Sequence, residues 1–437
     1  GGSIGAPLSA FDSNADATYS HALAWGRDGR GDFVLEARVF HDKGEDKSGA
    51  ISLVATYVGA SSPAYTLKRF DTPSPPAKTD DNRVEQSRCV DMAALDIDGD
   101  GVRDFVVVYG STSSTGMVKA VAINGNLTGS GGIVVKDITG RISSDGNSHL
   151  VPNVRAVAGN FLGDGTPAVA WLAAEQNDTH QPTKTNGSYV LWACSFGRDF
   201  FSNGTHTLSK AKLSQGFSGP FNDQYHPADY SLTGECDLAA GDLDGDGIDE
   251  ILPVTAGRVK MDNLGTQYSA NADVYSYRFA SGALTQLAHN SDTHRIGATD
   301  AHGSANLFPM WAPVRCTAAD IDGDKKDELV WVSSGCDYSS NYGYFVFRVV
   351  EGSASSLQYT YEGQFDGHWG SHPMSDGIEF DLVAGPVSSA YVLPNAANGN
   401  LVKRQVILAW RSGDNDNCLA LRGLTWTGSG FADGNVK

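Results

Sequence analysis

Along the chain, apolar residues come in short runs broken by polar turns, and no long stretch repeats its apolar positions at helical spacing. Three segments show one pattern in full: DMAALDIDGDGVRDFVVV (91–108), DLAAGDLDGDGIDEILPV (237–254) and TAADIDGDKKDELVWVS (317–333). Each is a strand rich in small residues, an acidic loop, and a second strand that is apolar almost throughout. Weaker copies follow the same frame. AVAGNFLGDGTPAVAWL (156–172) loses most of the carboxylates, and ALAWGRDGRGDFVL (22–35) keeps only the second half of the loop. In the last copy, DLVAGPV (381–387) and QVILAW (405–410) preserve the two strands. Other runs, such as ADVYSYRF (272–279), YFVFRVV (344–350) and LQYTYEG (357–363), have the aromatic and β-branched content of further strands.

The fifth loop position falls at Asp28, Asp100, Asp164, Asp246, Asp324 and Ala390, a period of roughly seventy residues that covers the whole chain. One period throughout argues against several unrelated domains. It has the length of a four-stranded blade with its connections. The expected fold is therefore all-β: a single β-propeller domain over residues 1–437, built of four-stranded antiparallel blades. Six repeats are counted, and seven blades is the alternative. The Ala- and Gly-rich first strands suit the innermost position, where blades crowd together near the axis.

In the full copies the acids are regularly placed. Asp96, Asp98, Asp100 and Asp104 occupy positions 1, 3, 5 and 9 of a nine-residue loop. Asp242, Asp244, Asp246 and Glu250 do the same, as do Asp320, Asp322, Asp324 and Glu328. Alternate spacing points carboxylates into one concavity, with Gly or Lys at position 6 making the turn. A hard divalent cation suits such an all-oxygen set, and calcium is the usual one. An EF-hand would need Glu at position 12, where Val107, Pro253 and Trp331 stand instead. The pattern resembles the FG-GAP (VCBS-type) repeats of integrin-α-like β-propellers. In that family the loop joins the first two strands of a blade and holds calcium. The resemblance thus implies ligand roles for these twelve residues and about three structural Ca²⁺ ions. The loops at Asp28 and Asp164 lack acids at positions 1 and 3 and are expected to hold no tight ion.

Acidic residues exceed basic ones by 51 to 32, for a formal charge of −19, so a nucleic-acid partner is not expected. No apolar run reaches the ~18–20 residues of a membrane span. Six cysteines (Cys89, Cys194, Cys236, Cys316, Cys336 and Cys418) contain no CxxC pair. Their even number and wide spacing suit disulfides in a secreted protein. Cys316 with Cys336 is the first expected bridge and Cys194 with Cys236 the second, leaving Cys89 and Cys418. Asn126, Asn177, Asn186 and Asn203 open N-x-S/T sequons, which add mild support for an extracellular glycoprotein. Arg30-Gly31-Asp32 is an RGD tripeptide inside a degenerate loop, and receptor binding is not expected of it.

The remaining candidates lie in segments that lead into innermost strands: NDQYHPADY (222–230), SDTHRIGATDAHG (291–303) and FDGHWGSHPMSD (365–376). Being at the far end of those strands, they belong to the face opposite the acidic loops. They supply Tyr225, His226, Arg295, His302, Trp369 and His372 as a candidate ligand site. Two functions follow from this arrangement. One is a secreted, calcium-stabilised propeller that binds a glycan or an extracellular protein, as an adhesion or lectin-like module. The alternative is a polysaccharide-active enzyme such as a lyase, with a His or Tyr base and Arg beside the developing anion. No G-x-S-x-G, HExxH or P-loop motif assigns catalytic roles.

Overall fold

Strand–loop–strand units repeated in tandem give a fold in which every sheet is made of consecutive strands. A computed structural model describes residues 15–42, 49–57, 64–71, 90–110, 118–127, 134–139, 149–177, 185–219, 235–259, 269–292, 314–337, 342–353, 355–367, 380–386, 404–411 and 419–434. Blade 1 comprises β1 (Ala15–Asp28), β2 (Gly31–Asp42), β3 (Gly49–Tyr57) and β4 (Ala64–Asp71). Blade 2 comprises β5 (Val90–Leu95), β6 (Asp104–Gly110), β7 (Val118–Ile123) and β8 (Val135–Asp137). Blade 3 comprises β9 (His149–Gly159), β10 (Ala168–Asn177), β11 (Thr185–Phe196) and β12 (His206–Gly219), with the one-turn helix α1 (Phe200–Asn203) before β12. Blade 4 is β13 (Cys236–Gly241), β14 (Glu250–Val259), β15 (Ser269–Ala280) and β16 (Ala283–Asp292). Blade 5 is β17 (Val314–Ala319), β18 (Glu328–Asp337), β19 (Tyr342–Ser353) and β20 (Ser356–Gly367). Blade 6 is β21 (Phe380–Pro386), β22 (Arg404–Arg411), β23 (Leu419–Trp426) and β24 (Phe431–Gly434). These six four-stranded antiparallel sheets stand in a ring, a six-bladed β-propeller.

The second strand of blades 2 to 5 reads as a continuous apolar run because both its faces are covered, whereas in β2 and β22 buried positions alternate with partly exposed ones. In β18, Leu329 and Trp331 pack toward blade 4, while Val330 and Val332 pack toward blade 6. In β6, Phe105, Val107 and Tyr109 face blade 1, and Val106 and Val108 face blade 3. Each such fully buried Val or Leu favours folding by roughly 1.5–3 kcal/mol relative to exposure. Trp171 and Trp192 stack in the blade 2–3 layer with ring centroids 6.1 Å apart.

First strands of successive blades touch one another, and there the small residues are needed. A Cβ built on Gly241 would lie 2.6 Å from the Ala318 Cβ of the next blade. Gly241→Val is therefore expected to cost about 1–3 kcal/mol through overpacking. A urea titration with an unchanged midpoint would contradict that close approach.

A belt of charge runs through the inner strands. Asp91, Arg155, Asp237, Arg315 and Asp381 occupy the same register position in blades 2 to 6. Arg155 Nε lies 3.1 Å from Asp237 Oδ1, with both residues buried. The Ala156 N–H donates to Asp91 Oδ2 at 2.8 Å, and the Cys316 N–H donates to Asp237 Oδ2 at 2.7 Å. Each of these carboxylates thereby ties its blade to the next one. In blade 1 the position falls to Leu23, which is 58% exposed.

The expected disulfides are corrected by this packing. Cys194, Cys236 and Cys316 are buried free thiols. Cys194 belongs to the layer between blades 2 and 3, whereas Cys236 belongs to the layer between blades 3 and 4. Cys316 is paired in register with Trp331, while Cys336 stands opposite Gly343, beyond the Val314–Ser333 end of the β17–β18 ladder. Burial pushes the Cys236 thiol up to about 12 and those of Cys194 and Cys316 well above their ordinary value. Cys89 and Cys418 lie outside the described residues.

Candidate metal centres

The acidic loops join the first and second strands of blades 2, 4 and 5, as the repeat frame requires. Their shape comes from two left-handed residues. Position 4 is Gly99, Gly245 or Gly323 and position 6 is Gly101, Gly247 or Lys325, all with φ between 75° and 93°. Lys325 is the non-glycine exception and adopts a conformation that Gly takes without strain. This backbone turns successive N–H groups inward onto the carboxylates. Asp96 accepts from Gly99 and Gly101, Asp98 from Asp100, and Asp100 from Val102. The loops of blades 4 and 5 repeat these bonds.

Position 9 closes the loop from below. Asp104 accepts the Ile97 N–H at 2.8 Å and the Gly125 N–H at 2.7 Å. Glu250 and Glu328 likewise accept the N–H groups of Leu243 and Ile321. Ile97, Leu243 and Ile321 at position 2 are fully buried and anchor the loop on the core.

Three carboxylate groups converge in each loop, with ligand oxygens within 4.8 Å of one another. They are Asp96, Asp98 and Asp104 in blade 2, Asp242, Asp244 and Asp246 in blade 4, and Asp320, Asp322 and Glu328 in blade 5. Asp100, Glu250 and Asp324 lie beside these sets. Burial pushes the Asp104 and Glu250 carboxyls up to about 7 and that of Glu328 up to about 8, with the neighbouring aspartates adding to the rise for Glu328. A donor set of crowded carboxylates, with a buried one in blades 2 and 5, fits a hard divalent cation, which would remove both the repulsion and the desolvation penalty.

In blade 1, Asp28 accepts the Tyr57 hydroxyl at 2.6 Å and the Arg30 N–H at 2.8 Å. Arg30 of the RGD tripeptide lies over the Tyr57 ring at 4.6 Å and donates to the Leu127 carbonyl at 3.3 Å. In blade 3, exposed Asp164 accepts the Thr166 N–H at 2.9 Å.

Two features were not anticipated from the sequence. Position 8 carries the blade-to-blade staple of this face: Asp327 accepts the Asp242 N–H at 3.0 Å and donates its own N–H to the Asp242 carbonyl at 2.8 Å. Asp249 makes the same pair of bonds with Asn160 of blade 3. The signal available was the Asp-Glu doublet at 249–250 and 327–328. The second feature is Arg278 on β15, whose guanidinium lies 2.9 Å from Asp246, 3.4 Å from Asp244 and in contact with Glu250. Tyr225, His226, Arg295, His302, Trp369 and His372 lie outside the described residues. Among the described residues no helix is long and apolar enough to cross a membrane.

No protein-family model matches the chain, and no curated protein matches it. Solved structures do. The Aleuria aurantia lectin in complex with α-methyl-L-fucoside is 10% identical, with 97% of this chain and 95% of that one covered and a TM-score of 0.38. An α-L-arabinofuranosidase of Fusarium graminearum with an iminosugar inhibitor is 9% identical over 92% of each chain, with a TM-score of 0.33. The haemagglutinin-neuraminidase of parainfluenza virus 5 is 9% identical over 97% of this chain and 90% of that one, with a TM-score of 0.36. Likenesses this distant assign neither ligand nor reaction to this chain.

Proposed function

We propose that the chain is a calcium-stabilised propeller of the FG-GAP (VCBS-type) kind that works as a secreted binding module for a glycan or a protein ligand. The observation that carries the metal part is the convergence of Asp320, Asp322 and Glu328, repeated in blades 2 and 4. Asp96, Asp98 and Asp104 would hold the ion of blade 2, and Asp242, Asp244 and Asp246 offer the matching carboxylates in blade 4. A bound cation supplies positive charge where each blade turns from its first strand to its second, so its role there is structural. The position-8 staples make the loops of blades 4 and 5 part of the contact between blades, which extends that role beyond the single loop.

The recognition part of the proposal is supported by the sequence, which places histidines, Arg295 and Trp369 in the long connections at the far end of the inner strands. Isothermal titration of metal-free protein with Ca²⁺, followed by glycan-array binding of the loaded form, tests both parts. Uptake of calcium with retained, saturable glycan or protein binding is the expected result. No heat and no shift in melting temperature on adding calcium would refute the metal part. Release of unsaturated uronate products from a polysaccharide panel would replace the binding module with a lyase.

A further inference from the structure

The three acidic loops differ in what the third strand of their blade presents to them. Asn124 follows Ile123, the partner of Phe105, and so stands beside Asp104, where its amide donates to Asp98 Oδ2 at 3.1 Å. In blade 4 the same ladder position, next after the Tyr277–Ile251 pair, is Arg278 beside Glu250. In blade 5 it is Glu351, next after the Val350–Leu329 pair and beside Glu328. One position thus carries an amide, a cation and an acid in three otherwise matching loops.

Arg278 sits among the carboxylates that a metal would use. Its Nη1 lies 2.9 Å from Asp246 Oδ2 and its Nη2 lies 3.4 Å from Asp244 Oδ2, with Glu250 in contact with the same nitrogen. A guanidinium stays charged at any pH the fold survives and offers several donors in a rigid fork that matches carboxylates. The cations near the other two loops behave differently. Arg198 lies over Gly99, and Lys325 belongs to the blade 5 loop itself. Neither makes an ion pair with a loop carboxylate among the described residues.

We propose that Arg278 is a resident counter-ion of the blade 4 loop that competes with calcium for Asp244, Asp246 and Glu250, so that the chain takes up two ions rather than three. The proposal rests on the metal reading above and refines it. The blade 4 loop is held folded by its own arginine, while the loops of blades 2 and 5 depend on the external ion.

The test is the number of Ca²⁺ ions bound per chain, measured by atomic emission after equilibrium dialysis and by calorimetric stoichiometry. The parent is expected to hold two and Arg278→Gln three, because Gln keeps an amide donor like that of Asn124 and removes the charge. Adding Asp244→Asn to Arg278→Gln should return the count to two, which identifies the new site. Asn124→Arg transplants the device to blade 2 and should lower the parent count from two to one; it tests the idea independently should Arg278→Gln fold poorly. Three ions in the parent would overturn the proposal and leave the metal reading standing. An unchanged count on removing Arg278 would overturn the proposal at any count, and a count of zero in both proteins would overturn the metal reading with it.

Discussion

Arg155→Met is expected to destabilise the protein by about 3–5 kcal/mol, the usual cost of stripping one partner from a buried ion pair. Arg155 is buried with Asp237 at 3.1 Å, and Asp91 also lies within its field. Burial already raises both carboxyls above their ordinary range, and Arg155 opposes that rise. Without the guanidinium the folded-state values climb further, so the native protein binds protons that the unfolded chain does not. Stability of the variant should then fall as pH rises from about 4 toward neutrality, and the deficit against the parent should be larger at pH 7 than at pH 5. Denaturant titrations at the two pH values measure this, with Arg27→Met as control. Arg27 is 79% exposed beside Asp32, and its loss should change stability by no more than about 0.5 kcal/mol. Equal effects of the two substitutions would mean that the inner belt contributes nothing as an ion pair.

The metal-free protein should become less stable as pH rises from about 4.5 to about 8, and saturating calcium should remove the part of that fall that comes from Asp104 and Glu328. Asp104, Glu250 and Glu328 have folded-state values of about 7, 7 and 8 against ordinary values of 3.8, 4.5 and 4.5. A carboxyl raised on folding keeps its proton in the native state across that interval, so the native state binds more protons than the unfolded chain and stability drops with pH. Each unit of separation corresponds to about 1.4 kcal/mol before solvent screening; because the loops above all three carboxyls are exposed to solvent, the screened total opposing folding is of order several kcal/mol at pH 8. Calcium at a thousand times its Kd would add about 4 kcal/mol per site. Melting curves of dialysed protein at pH 5, 6.5 and 8, with and without calcium, provide the test. Parallel pH profiles in the two series would show that Asp104 and Glu328 do not face a bound cation.

What was legible in the sequence was what is local. The small-residue strand, the alternate aspartates and the apolar second strand are set by spacings of a few residues, and each appears where its repeat puts it. The staple of Asp327 on Asp242 was not legible, because the partners are 85 residues apart and an acid beside Glu328 looks like one more ligand. Arg278 was missed for the same reason: its role depends on the register of β14 against β15, which no local pattern states. The cysteine pairing failed because alternation along a strand decides which inter-blade layer a side chain enters. Cys194 and Cys236 enter different layers however close their blades stand.

Because every blade is finished by its own chain segment, the two ends of the propeller should respond differently to mechanical load. Among the described residues the last strand is β24, an outermost strand of four residues paired with β23 alone. Tension on the C-terminal side peels it sideways, rupturing its ladder one step at a time. At the other end, β1 is a 14-residue innermost strand wedged against β2 and β5. Drawing it out means shearing a long ladder and dragging Ala22 and Ala24 through the blade 1–2 layer. Under a steady pull the ring should therefore unravel from blade 6 backwards, in steps one blade long, with the N-terminal blade the last to yield.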